Sequence, residues 1–163
     1  MSQTLSVHFR DTSFWAYDVV SSVFLKFLID AANGQITGDS DHWLAEPIEQ
    51  WRVNAVISDF GFFLDDSWSQ SQIDVVIDLC RKAAGAIRSR ESIPAMEIES
   101  WPMVDDQRIF TRGHDPVLSE PVAQFGEAVI ALLENTLPKP PEDHWWLFTL
   151  DKNVNTIKML RRE

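Results

Sequence analysis

The chain reads as an α+β fold: about four helices packed on an antiparallel sheet, with a C-terminal β-hairpin and a central apolar helix near the N-terminus. Three observations predict this. Residues 14–32 are apolar on most sides of a helix. Three later segments carry apolar residues at helical spacing. Short alternating or β-rich runs lie around them, without the glycine-rich turns of regular βαβ units.

The first strand is predicted from alternation. Leu5, Val7 and Phe9 alternate with Ser6, His8 and Arg10. Asp11, Thr12 and Ser13 then offer capping oxygens for a helix over 14–32. Phe14, Tyr17, Val20, Phe24, Phe27, Leu28 and Ala31 cover one side of it. Asp18, Ser22, Lys26 and Asp30, spaced by four, form a narrow polar stripe on the other. Asn33 and Gly34 are expected to end it.

A second helix starts near Pro47, where a missing N–H is harmless, and presents Ile48, Trp51 and Ala55. Gly61-Phe62-Phe63-Leu64 fits a strand or a buried loop. The third helix opens on Ser69 with Gln72 three residues on, a capping-box spacing. Ile73, Val76, Ile77, Cys80, Ala84 and Ile87 form its apolar face. Met96 and Ile98 alternate with Glu97 and Glu99, which predicts a strand. Residues 108–112 are its predicted partner, across a turn at Asp105-Asp106-Gln107. Ser119 is the expected cap of a fourth helix, with Pro121 in its first turn and a stop at Leu137-Pro138. Residues 145–150 and 154–160 flank Asp151-Lys152-Asn153 as the terminal hairpin.

Length fits one domain over 1–163, and a chain of this size buries roughly 70% of its unfolded surface. It is 45% apolar and carries a formal net charge of −11. That excess opposes nucleic acid and anionic membranes and suits a basic protein partner; it also keeps a chain with seven tryptophans soluble. The lone cysteine, Cys80, permits no internal disulfide and suits a reducing interior. No basic stretch leads into an apolar run at the N-terminus, so no signal peptide is expected. The charges within 14–32 would each cost about 2.5–3.5 kcal/mol near a bilayer centre, which argues against a span. A cytoplasmic location is the expectation.

The motif search yields absences. The sequence contains no phosphate-cradling GxxxxGK[ST] or GxGxxG, no zinc spacing of the HExxH, HxH or CxxC kind, and no GxSxG elbow. No catalytic residue, metal site or cofactor is predicted, and enzymatic activity is not expected. Cys80 lies on an apolar helix face, where a thiol acts as a small hydrophobe.

Two candidate sites remain. Between residues 39 and 66 the acids Asp39, Asp41, Glu46, Glu49, Asp59, Asp65 and Asp66 face the single base Arg52. With Trp43 and Trp68 at its edges, this stretch fits a docking surface for a basic protein, through Asp39, Asp41, Trp43, Glu46, Glu49, Asp65, Asp66 and Trp68. The alternative is a small-ligand or enzyme pocket beside the helix 14–32, built from Asp18, Ser22, Lys26, Asp30, His114 and Asp115. A third reading is a structural subunit of a homo-oligomer, pairing through the terminal hairpin. In size, charge and tryptophan content, the chain is similar in profile to bacterial toxin-immunity proteins. That resemblance implies a non-enzymatic inhibitor that covers a basic toxin site.

Overall fold

The computed structural model describes residues 3–36, 39–150 and 157–158; for 39–41 and 157–158 only the backbone is described. The fold is α+β. Strands β1 (Thr4–Phe9) and β2 (Thr12–Tyr17) lead into helix α1 (Asp18–Gln35). A 3-10 turn at Asp39–Leu44 precedes α2 (Ala45–Val56), and a second at Ser58–Phe60 follows it. Then come α3 (Gln70–Arg88), β3 (Ser92–Ile93), the short α4 (Ala95–Ser100), β4 (Val117–Leu118) and α5 (Ser119–Leu133). Strands β5 (Trp145–Phe148) and β6 (Ile157–Lys158) close the described chain.

The alternation in β1 places Leu5, Val7 and Phe9 in the core. The strand turns tightly into β2 with Arg10 in the left-handed region, φ 54°. The register sets Leu5 opposite Ala16 and Val7 opposite Phe14, so the apolar residues of both strands share one face. The sheet order is β1-β2-β5-β6. It is mixed rather than purely antiparallel, because β5 returns beside β2 in the same direction, with Ala16 opposite Phe148. The predicted hairpin is present as the antiparallel β5–β6 pair. Its turn at 151–153, most of 154–160 and the tail 161–163 lie outside the described residues.

The expected start of α1 moves. Residues 12–17 have strand neighbours on both sides and are sheet, so the helix begins at Asp18 instead of Phe14. Asp11, Thr12 and Ser13 therefore cap nothing. Asn33 and Gly34 stay helical, and the last turn closes where Ile36 N–H donates to the Ala32 carbonyl, 3.3 Å. As predicted, α1 is the central helix, buried on most of its circumference. It packs on α2, α3 and α5, and α5 also lies on the sheet. Phe125 of α5 joins the layers: its ring sits 5.7 Å from Phe14 of β2 and 5.5 Å from Phe24 of α1.

Several local expectations hold. In α2, Ile48, Trp51 and Ala55 are buried and Pro47 sits in the first turn. The capping box of α3 is complete: Gln72 N–H donates to Ser69 Oγ at 3.3 Å, and Ser69 N–H donates to Gln72 Oε1 at 2.9 Å. The apolar face predicted for α3 is buried, Cys80 included. Residues 61–64 form a loop that buries Phe62 and Leu64. Gly61 is required there: its φ is 70°, and a Cβ would lie 3.1 Å from the Ser6 carbonyl oxygen.

Four further expectations fail. Residues 95–100 are a helical turn and a half, not a strand: Met96 points to solvent while Ile98 is buried. The alternation there was the sampling of a short helix, started by Pro94. Residues 108–112 are irregular, although the tight turn before them exists, with Val104 bridged to Gln107. Finally, α5 stops at Leu133, ahead of Pro138. Asn135, φ 58°, ends it: its N–H reaches the Leu132 carbonyl and Thr136 N–H reaches that of Ala131, the two bonds of a Schellman motif. Ser119 is not the cap of α5 either; its Oγ is buried without a hydrogen-bond partner among the described residues.

Candidate functional site

The acidic segment 39–66 packs against the core through Trp51 and Phe62, with Trp43 and Phe63 half-buried beside them. Trp51 is fully buried, and its Nε1 donates to the Phe63 carbonyl at 2.9 Å. Asn54 Oδ1 accepts from Phe63 N–H, 2.9 Å, fixing the loop onto α2. Trp43 and Trp68 meet edge to face at 6.1 Å. The structure thus brings together the two indoles predicted to edge a docking surface. It also removes one from solvent, since Trp68 is only 5% exposed.

Of the acids of this segment, Glu46, Glu49, Asp59 and Asp66 are exposed. Glu46 and Glu49 are exposed on α2, and Glu49 faces Arg52 at 3.3 Å. Asp65 turns back on its own loop: the Ser67 hydroxyl and then the Ser67 N–H bond its carboxylate and hold it below the usual carboxylate range. Asp66 is an anchor as well, accepting from Arg10 N–H at 2.8 Å and tying the segment to the hairpin turn. For Asp39 and Asp41 only the backbone is described; their side chains lie outside the described residues. Phe60, unnoticed in the sequence, is 68% exposed beside the exposed Asp59.

The polar stripe of α1 divides. Asp18 and Ser22 are buried, whereas Lys26 and Asp30 form a more open pair at 2.7 Å. Asp18 opens the helix and has three partners. Its Oδ1 accepts from Val19 N–H at 2.9 Å and from Gln3 N–H at 3.3 Å, and Arg112 Nε donates to its Oδ2 at 2.5 Å. A carboxylate at a helix start is also favoured by the dipole. Lys26 Nζ lies 5.7 Å from the Trp101 ring centre, a cation–π contact, and Trp101 packs edge-on against Phe27. The stripe is therefore roofed by the segment after α4, which sets Arg112 on Asp18 and Trp101 over Lys26. Asp115 reaches back to α4. Its Oδ1 accepts from Ala95 N–H at 3.0 Å and so caps α4 from twenty residues away.

That roof is the feature sequence reasoning missed. Residues 94–116 leave and return through a two-rung ladder, Ser92 opposite Leu118 and Ile93 opposite Val117. Between these ends the chain makes α4, a tight turn and an irregular return. It is held by its own contacts: Ile98 and Ile109 are buried beneath it, and Thr111 Oγ1 donates to Glu99 Oε1 at 2.8 Å. This is the build of an enlarged Ω-loop, a class of loop that often carries function. Met96 is 85% exposed and Phe110 is 70% exposed.

The remaining chemistry is structural. Burial pushes the Cys80 thiol up to about 12, so it stays a protonated, inert core group. Among the described residues, no group of three or more His, Cys, Asp or Glu side chains could hold a metal ion. A cleft of about 470 Å³ lies between α3 and α5. Its charges neutralise each other: Arg88 bonds Glu120 and Glu127, and Arg81 bonds Glu134. Among the described residues, no helix is long and apolar enough to cross a membrane. No protein-family model, curated protein or solved structure matches the chain.

Proposed function

We propose that this is a non-enzymatic, acidic protein-binding domain that engages a basic protein partner, in the manner of an immunity or inhibitor protein of a bacterial toxin. One observation carries the reading: among the described side chains, every arginine and lysine except the exposed Lys139 is already engaged within the fold. Lys26, Arg52, Arg81, Lys82, Arg88, Arg90 and Arg112 each face a carboxylate. Arg10 and Arg108 donate to backbone carbonyls. Glu46, Asp59, Asp105 and Asp106 are exposed and have no ion-pair partner among the described residues. These exposed acids have no local counter-ion among the described residues, in a chain whose formal net charge is −11. Their field steers a cationic partner and repels nucleic acid.

A reducing, cytoplasmic home belongs to the same reading, with Cys80 as a core residue. The Arg112–Asp18 and Lys26–Asp30 pairs, which already engage the charges of the stripe, weigh against the pocket alternative. The test is binding of the purified chain to the basic products of genes adjacent to its own, at low and high salt. Binding at low salt that weakens as salt rises supports the reading. Failure of every such product to bind at low salt would count against it.

A further inference from the structure

We infer that the partner docks on the excursion 94–116, with Met96 and Phe110 as apolar anchors inside an acidic rim of Glu99, Asp105 and Asp106. This rests on the proposed basic partner and locates its surface. Met96 and Phe110 are the two most exposed large apolar side chains among the described residues. Both neighbour Glu99. Met96 stands one helical turn before it on α4, and Phe110 adjoins Thr111, which donates to the Glu99 carboxylate from both Oγ1 and N–H.

Exposed apolar side chains grouped within a polar rim are the usual anatomy of a protein interface. Charge complementarity selects the occupant. The two arginines of the excursion are engaged, Arg112 on Asp18 and Arg108 on the carbonyls of Asp105 and Gln107. Asp105 and Asp106 form the exposed tip of the turn. A basic protein surface with an apolar centre fits this pattern; an acidic one does not. The surface is also preorganised. It is clasped by β3 and β4, roofed onto α1 and capped by Asp115, so docking orders little new chain. The 39–66 side offers less. Trp68 is buried, Trp43 packs on it, and among the described residues of that side Phe60 is the exposed large apolar side chain.

The test uses the full chain and a fluorescent amphipathic helical peptide of lysine and leucine as the basic probe. Binding is read by anisotropy at low salt for the wild type, Met96→Gln with Phe110→Gln, Asp105→Asn with Asp106→Asn, and Phe60→Gln. These side chains are exposed, so unchanged circular dichroism and denaturation midpoints serve as the folding control. The expected result is about tenfold weaker binding for the Met96/Phe110 pair, a smaller loss for the Asp105/Asp106 pair, and less than about twofold for Phe60→Gln. Loss on Phe60→Gln alone, or binding that no variant alters, overturns this surface while leaving a basic partner in place. A wild-type chain that does not bind the peptide overturns the basic-partner reading and this surface together.

Discussion

A Cβ built on Gly126 of α5 would lie 2.4 Å from Cε2 of Phe24 on α1. The two helices approach so closely because one of them presents only a hydrogen. The Phe24 ring cannot swing away cheaply. It is fully buried, edge-on to Phe125 and stacked on Phe62 at 6.4 Å.

Gly126→Ala therefore sets two effects against each other. Helix propensity favours alanine by about 1 kcal/mol. Overpacking in a closed core costs about 1–3 kcal/mol, and with no free volume beside the ring the upper half of that range applies. Urea denaturation should show a net loss of about 1–2 kcal/mol. Adding Phe24→Leu, which vacates the clash, should restore part of it. Additive losses in the double variant would contradict the account.

Asp18 and Arg112 join elements 94 positions apart in sequence. Removing the acid strands a guanidinium and two backbone N–H groups. Asp18→Ala is expected to cost about 2–4 kcal/mol, below the full buried-pair value because Arg112 retains some solvent. Asp18→Asn keeps an acceptor for Val19 N–H and should lose less, about 1–2 kcal/mol. Hydrogen exchange of Arg112→Ala should accelerate over 101–112 before the rest of the chain. Uniform acceleration would show that the pair does not hold the excursion.

The same pair shows where the sequence was legible and where it was not. The periodic signals in β1 and α3 were sufficient, because Leu5, Val7 and Phe9 and the Ser69–Gln72 box each express a local rule. The start of α1 was not, because Phe14 to Tyr17 is apolar in either conformation. Pairing of β2 with β5, more than a hundred residues on, decided it. Asp18 carried a readable sign, an acid in a helix first turn, but its spacing with Ser22 and Lys26 suggested a stripe instead. The candidate docking side was half legible. Trp43 and Trp68 do converge, but edge-on packing within the core is invisible to composition. Met96 and Phe110 looked like strand interior because nothing local announces that Ile98 and Ile109 take the burial instead.

Cys80 links stability to alkaline pH. Its thiol ionises at an ordinary 9.0 when unfolded and is pushed up to about 12 in the fold by burial. The folded state binds the proton more tightly, so this contribution is complete below pH 9.0 and is lost between 9.0 and about 12. Denaturation midpoints should fall more steeply over the lower part of that range for the wild type than for Cys80→Ala. A thiol reagent should label the native chain only as fast as it opens. Rapid labelling of folded protein would contradict a buried thiol.

An acidic, motif-free surface is proposed to recognise a basic protein by charge around an apolar centre. This is tested most directly by titrating the intact chain with two helical peptides of equal length, one of lysine and leucine and one of glutamate and leucine, at low and high salt. The account predicts that only the lysine peptide binds, and that raising the salt weakens it by about tenfold as the charges are screened. Equal binding of both peptides, or lysine-peptide binding indifferent to salt, would contradict it.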